Sequence, residues 1–198
     1  MRLFAAVLPP EPAVRELAEA VDPLRNLPGA AGLRWTQRAG WHFTLAFYGE
    51  VGDDVVPDLS ARLARAAHRT PPFSLAVRGG GQFGQGRALW AGADGDLAAL
   101  RLLAERAEAA GRKAGVAMEE HRRYRAHLTV ARSGAAVEVP GYPRRYVEAL
   151  GRFSGREWTV GELALVRSAL PVSGVAGEQP RYDVVGRWGL GGGSGGGG

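Results

Sequence analysis

One short pattern occurs twice in this chain, as Trp41-His42-Phe43-Thr44-Leu45-Ala46-Phe47 and as Ala126-His127-Leu128-Thr129-Val130-Ala131-Arg132. Side chains two apart in an extended strand share a face. His42 and Thr44 therefore share one face of a strand, as do His127 and Thr129, while Phe43 and Leu45, or Leu128 and Val130, enter a core. One His-x-Thr reads most simply as a half-buried polar pair. Two copies in matching apolar contexts demand two half-buried strands of the same design, and they point to a site made of two imidazoles. The other histidines have no such setting: His68 closes a helix at Ala66-Ala67-His68-Arg69, and His121 sits in a basic run, so both read as surface.

The residues around the two copies place them in repeated units of strands and a helix. Met1 to Leu8 reads as a buried first strand, too short for a signal peptide with its cleavage site. Glu11 to Arg25 carries Val14, Leu17, Val21 and Leu24 at helical spacing. Leu33 to Trp35 is a short strand, Arg38 to Gly40 a turn, 41–48 the first His strand and Gly49 to Asp54 a loop. Pro57 opens a second helix through Leu59, Leu63 and Ala67. Phe73 to Val77 reads as a strand. The run Arg78-Gly79-Gly80-Gly81-Gln82-Phe83-Gly84-Gln85-Gly86-Arg87 lacks the order of a phosphate loop and reads as a flexible hairpin connection carrying an aromatic into a cleft. Ala88 to Gly92 is the next strand. Asp96 caps a third helix with Gly111 near its end, and 126–131 is the second His strand. Tyr142 to Leu150 is a short helix, and Glu157 to Val166 and Tyr182 to Trp188 are strands.

The His strands lie 127 − 42 = 85 positions apart. The spacing predicts an α+β, bilobal, pseudo-duplicated fold: two mainly antiparallel sheets flanked by helices, with the active-site cleft between them. Residues 1–190 form the single bilobal domain, and 191–198, all Gly but for Ser194, form a disordered tail.

Composition narrows the chemistry. With no cysteine, disulfides, thiolate zinc sites and a thiol nucleophile are excluded. The formal charge of +5 suits an anionic substrate. No apolar run reaches membrane-spanning length, and the expected setting is a cytoplasmic monomer. Two imidazoles on opposite sides of a scissile bond can act as general base and general acid in one displacement. No Gly-x-Ser-x-Gly occurs, and no acid stands near either His to complete a metal site, so neither a serine nucleophile nor a metal or other cofactor is expected. Thr44, Thr129 and Arg132 can donate to phosphoryl oxygens. The predicted chemistry is phosphodiester hydrolysis, and a strained cyclic phosphodiester is the substrate that most needs only acid–base help.

These residues resemble a known family. The two His-x-Thr strands, Arg-Leu-Phe-Ala-Ala with Pro9-Pro10, Phe83 followed by Leu89-Trp90, Arg132, and the closing Arg-Tyr-Asp-Val-Val-Gly-Arg-Trp look like the 2H phosphoesterases. Within them they resemble the bacterial and archaeal RNA 2',3'-cyclic phosphodiesterases, historically called 2'-5' RNA ligases. The resemblance implies hydrolysis of an RNA 2',3'-cyclic phosphate end, or a small cyclic nucleotide, to a 2'-phosphomonoester. It implies His42 as proton donor, His127 as proton acceptor, and Thr44, Thr129 and Arg132 as phosphate ligands. Phe83 and Trp35 are candidates for base or ribose contacts. Ala126 stands where many members carry Pro. Two alternatives remain at this level: 2'-5' ligation or 2',5'-phosphodiester cleavage in the same cleft, and a non-catalytic RNA-end-binding protein.

Overall fold

A computed structural model describes residues 1–118, 123–134, 139–172 and 178–192 of the chain. The apolar N-terminal run is strand β1 (Arg2–Val7), followed by α1 (Glu11–Arg25), β2 (Leu33–Trp35) and β3 (Phe43–Glu50). Next come α2 (Val56–His68), β4 (Phe73–Phe83), β5 (Ala88–Gly95) and α3 (Leu97–Lys113). The rest is β6 (His127–Ser133), α4 (Arg144–Gly151), β7 (Trp158–Val160), β8 (Glu162–Ala169) and β9 (Arg181–Gly189). Local chemistry fixes several boundaries. A proline sits in the first turn of α1 and of α2, where no backbone N–H is needed. The Asp96 carboxylate accepts from the Ala99 amide at 3.0 Å and starts α3.

The strands form two sheets, in the orders β3-β1-β8-β9 and β2-β6-β5-β4-β7, and the paired neighbours are antiparallel. Each His-x-Thr segment thus has a sheet of its own. Helices α2 and α3 cover one face of the first sheet, and α1 and α4 lie on the second. The core runs from Leu3, Ala5 and Val7 of β1 through Leu59, Leu63, Leu100 and Leu103 of the helices to Leu75, Leu89 and Leu128 of the second sheet. The opposite face of the first sheet carries a smaller cluster, Phe4, Ala6, Ala164 and Val166, with Leu8 and Tyr182 at its margin. This is the α+β, two-sheet, helix-flanked architecture that the spacing predicts. Among the described residues no helix is long and apolar enough to cross a membrane.

Two local expectations need correction. The glycine run is not a flexible connection: β4 continues through Gly79, Gly80 and Gly81 to Phe83. Gly81 pairs with Trp90, and a Cβ there would come within 2.4 Å of the Trp90 ring, so glycine leaves room for the indole over the strand. The turn itself, Gly84 to Arg87, is pinned: the Gly86 amide donates to Gln82 Oε1 at 2.7 Å, and the Gly86 carbonyl accepts from Ser133 Oγ at 3.0 Å. The segment read as one strand over Glu157–Val166 is broken at Gly161, because β7 pairs with β4 in one sheet and β8 with β1 in the other. Gly111 lies near the end of α3 as expected, and a Cβ there would meet the Tyr48 ring at 2.7 Å. His68 ends α2, exposed as expected, while His121 lies outside the described residues, as do 193–198 of the tail. Gly191 and Gly192 close a short 3-10 turn against Pro72 and His68.

Candidate active site

The two His-x-Thr segments share a backbone device that alternation alone does not show. In β3, Phe47 pairs with Phe4, Ala46 with Ala5, and Thr44 with Ala6, so Leu45 is an extra residue. In β6, Arg132 pairs with Ala88, Ala131 with Leu89, and Thr129 with Trp90, so Val130 is an extra residue. Each strand therefore carries a β-bulge at the same place relative to its histidine. The bulge sends two consecutive residues into the core: Leu45 and Ala46 in one strand, Val130 and Ala131 in the other, all buried. The residue five positions after the histidine returns to the face of the Thr. In the first strand that residue is Phe47, 48% exposed; in the second it is Arg132, also exposed. An unbulged strand would have pointed Arg132 away from Thr129, because three is an odd offset.

Each imidazole is tied to the carbonyl two residues before it. His127 Nδ1 lies 2.8 Å from the Arg125 carbonyl. A carbonyl only accepts, so this bond places the proton on Nδ1 and leaves the Nε2 lone pair free in the neutral ring. His42 donates in the same way to the Gly40 carbonyl. Its ring stacks on Phe4, with centroids 4.6 Å apart, and meets the edge of Tyr182 at 5.4 Å. Burial in this aromatic slot is the largest influence on His42 and lowers its pKa from 6.5 to about 4. The Gly40 carbonyl opposes that shift, and the charge of His127 adds to it, so the two rings lie within electrostatic reach. His127 sits against the edge of Phe83 at 4.9 Å and more loosely against Trp90 at 6.4 Å, while Phe83 and Trp90 stack at 5.1 Å.

His42 and Thr44 lie at and in β3, His127, Thr129 and Arg132 in β6, the two strands are in contact, and Phe83 of β4 meets His127 edge-on. Trp35 is not among them: its indole N–H donates to the Ala30 carbonyl at 2.8 Å and its ring packs near Tyr146, a structural position. Three residues that the sequence left without a role join the group. Phe4 and Tyr182 wall His42, and Arg2 lies over the Phe47 ring at 4.8 Å. The charges of Arg132 and Arg2 both favour the ionised Tyr182 against the burial that raises its pKa, so cations from both sheets reach toward one ring. The available sequence signal for Arg2 and Phe4 was alternation along β1, which puts both on the face of Ala6.

The arrangement is an open cleft. A hollow of about 440 Å³ bounded by Thr36, Gln37, Gly40, Arg181 and Tyr182 adjoins His42 through Gly40 and Tyr182. Among the described residues no three His, Cys, Asp or Glu side chains are grouped to hold a metal ion. What the cleft offers is a protonatable ring, a lone pair opposite it, two hydroxyls and cations: the groups needed to move protons around a phosphoryl centre.

Comparison with known proteins gives a consistent picture. The family described as LigT like Phosphoesterase matches residues 7–90 and 94–176, with one His-x-Thr in each segment. An RNA 2',3'-cyclic phosphodiesterase of Thermus thermophilus is 34% identical, over 96% of this chain and 90% of its own length. One of Archaeoglobus fulgidus is 29% identical, over 83% of this chain and 92% of its own. In three dimensions the fold matches apo E. coli LigT with a TM-score of 0.72 at 24% identity, covering 96% of both chains.

Proposed function

This chain belongs to the LigT-like phosphoesterase family, and from that premise we propose that it hydrolyses the 2',3'-cyclic phosphodiester at an RNA end to a 2'-phosphomonoester by two-histidine acid–base catalysis. Small 2',3'-cyclic nucleotides are substrates of the same kind. The observation that carries this reading is the matched pair of bulged strands, which turns an imidazole, a hydroxyl and a fifth-position side chain to one face in each sheet.

His127 is the base. Its Nδ1–H is held by the Arg125 carbonyl, so Nε2 can take a proton from water as the water oxygen bonds to phosphorus. His42 is the acid: the bond from phosphorus to O3' breaks, and His42 delivers its proton to O3'. Thr44, Thr129 and Arg132 donate to the phosphoryl oxygens, where negative charge grows in the transition state. Phe83, edge-on to His127, borders the ribose or base, and the hollow beside Gly40 and Tyr182 gives the nucleoside room. No step calls on a metal ion.

The low pKa of His42 sets a condition on this scheme. At about 4 the free ring is uncharged near neutral pH. The proton it delivers must therefore be stabilised by the substrate itself, through the anionic phosphodiester seated against the ring. His42 becomes an acid only in the complex. In the reverse, ligating direction the two roles exchange.

The test is an RNA ending in a 2',3'-cyclic phosphate, incubated with the protein and with His42→Ala and His127→Ala. A 2'-phosphomonoester is expected, with kcat/KM lower by about 10³-fold or more in either variant, on the scale of general acid–base catalysis, and with RNA binding retained. A 3'-phosphate product, or turnover unchanged in both variants, overturns the proposal.

A further inference from the structure

The strongest feature outside the cleft is a groove of about 290 Å³ between α2 and α3, lined by Arg62, Arg65, Arg69, Arg106 and Lys113 with Ala66, Ala109 and Ala110. It is built from two matching helix faces. Positions 62, 65, 66 and 69 of α2 and its cap fall at i, i+3, i+4 and i+7, and so do 106, 109, 110 and 113 of α3. Such a row extends along its helix for about 10 Å. Alanines make the floor and cations make the rim, with no acidic side chain lining the space.

Two details separate this groove from an ordinary basic surface. Arg106 is fixed: its Nη1 donates to the Arg69 carbonyl at 2.8 Å and to Thr70 Oγ1 at 2.7 Å, and Thr70, 1% exposed, in turn donates to the Ala66 carbonyl at 2.9 Å. One guanidinium is thereby preorganised at the groove's end. The second detail is repulsion. Of the rim cations, Arg62 is paired with Asp58 at 2.8 Å, whereas Arg65, Arg69 and Lys113 form no ion pair among the described residues. Arg65 and Arg69 stand at i, i+4, a like-charge spacing that weakens a helix. Cations near a helix C-terminus complement its dipole on any face. Here they converge on one trough, where only an anion relieves the crowding.

We infer that the α2–α3 groove is a second anion site, separate from the histidine cleft, that takes the sugar–phosphate backbone of an RNA. The helices cover the core face of the first sheet, opposite the face of Phe4 and Ala6, so the groove holds no part of the catalytic cleft. Guanidinium groups on both walls suit a run of phosphates, because each can donate two parallel hydrogen bonds to one phosphoryl group. The RNA assignment rests on the substrate proposed above: a chain held at its end by the histidines has phosphates further along to engage.

The experiment uses the full chain and the triple variant Arg65→Gln, Arg69→Gln, Lys113→Gln, none of which belongs to the catalytic machinery. Binding of a labelled 15-nucleotide RNA ending in a 2'-phosphate is followed by anisotropy across a salt series. Affinity is expected to fall about tenfold or more, and the slope of log affinity against log salt to shrink by about two, as removal of three phosphate contacts on single-stranded RNA requires. Turnover of a 2',3'-cyclic mononucleotide is expected to stay unchanged, and Arg65→Lys with Arg69→Lys to retain RNA binding. Unchanged RNA affinity and salt slope overturn the inference, as does an equal loss of mononucleotide turnover. Titration with inorganic pyrophosphate separates the sources of phosphate: loss of pyrophosphate binding with RNA binding intact overturns the RNA assignment. A wild-type protein that binds RNA here but turns over no cyclic nucleotide defeats the proposed hydrolysis and leaves this site standing.

Discussion

The two His-x-Thr strands share one backbone design and differ in what surrounds it. In both, a histidine is held by the carbonyl two residues back, a Thr follows on the same face, and a bulge brings the fifth residue round to join them. The β3 half is closed in: His42 lies between Phe4 and Tyr182, and Phe47 fills its fifth position with Arg2 above the ring. The β6 half is more open, with His127 touching aromatic edges and Arg132 exposed at the fifth position. Strand geometry decides where an imidazole points. The neighbours decide how tightly it holds a proton, so a duplicated strand can supply an unlike pair.

The sharpest way to break the comparison is to change the leaving group. With a 2',3'-cyclic substrate carrying sulfur in place of O3', departure needs little protonation. His42→Ala should then recover most of its loss, roughly 10²-fold or more on the general-acid scale, and His127→Ala should recover nothing. Rescue of His127→Ala instead would exchange the two roles, and rescue of neither would remove the acid from the scheme.

A smaller effect is expected at the fifth positions. Arg132→Ala should raise KM for a cyclic nucleotide about tenfold, the loss of one charge-assisted phosphate contact, with a lesser change in kcat. Arg2→Ala, whose guanidinium lies over Phe47, should raise KM by less, about two- to threefold. Steady-state kinetics checks the order; if Arg2→Ala proves the more damaging, the cation of the closed half dominates phosphate binding and the comparison inverts.

The last effect is read in stability rather than in rate. His42 holds its proton less tightly in the folded protein, at about 4, than at its ordinary value of 6.5. Between those two values the unfolded chain binds a proton that the folded chain does not. The contribution of the neutral buried ring is thus intact above 6.5 and is lost as pH falls toward 4. The loss reaches about 3 kcal/mol if the shift is carried fully into stability. Urea midpoints measured for the protein and for His42→Gln at both ends of that window should differ more for the protein; parallel declines would mean that His42 titrates normally.

Much of this was legible in the sequence because its signals have a period. Alternation placed His42 with Thr44 and His127 with Thr129, and helical spacing gave α1 its observed limits, Glu11–Arg25. The rest depends on partner strands. The common face of Thr129 and Arg132 requires the bulge, whose only trace in the chain is the apolar doublet Val130-Ala131, matched by Leu45-Ala46. The glycines of β4 resembled a loop because the ring that covers Gly81 belongs to Trp90 on the neighbouring strand. Gly161, where the chain leaves one sheet for the other, carries no signal to distinguish it from a glycine within a strand. Tyr182 reaches His42 from a strand 140 positions away, 182 − 42, and no local pattern reports that meeting.

The paired bulges also make the proposed active site depend on one extra residue in each strand. Loss of the single residue Val130 would leave the reading frame, the net charge and a still apolar strand, yet it would restore strict alternation beyond Thr129. Arg132, then two positions after Thr129, would keep its place on the Thr face, with Ala131 alone in the core layer that Val130 and Ala131 now share. Flattening of the bulge with every residue kept would instead turn Arg132 into that layer, where a guanidinium without a partner is costly to bury, so the extra residue and the bulge are one device.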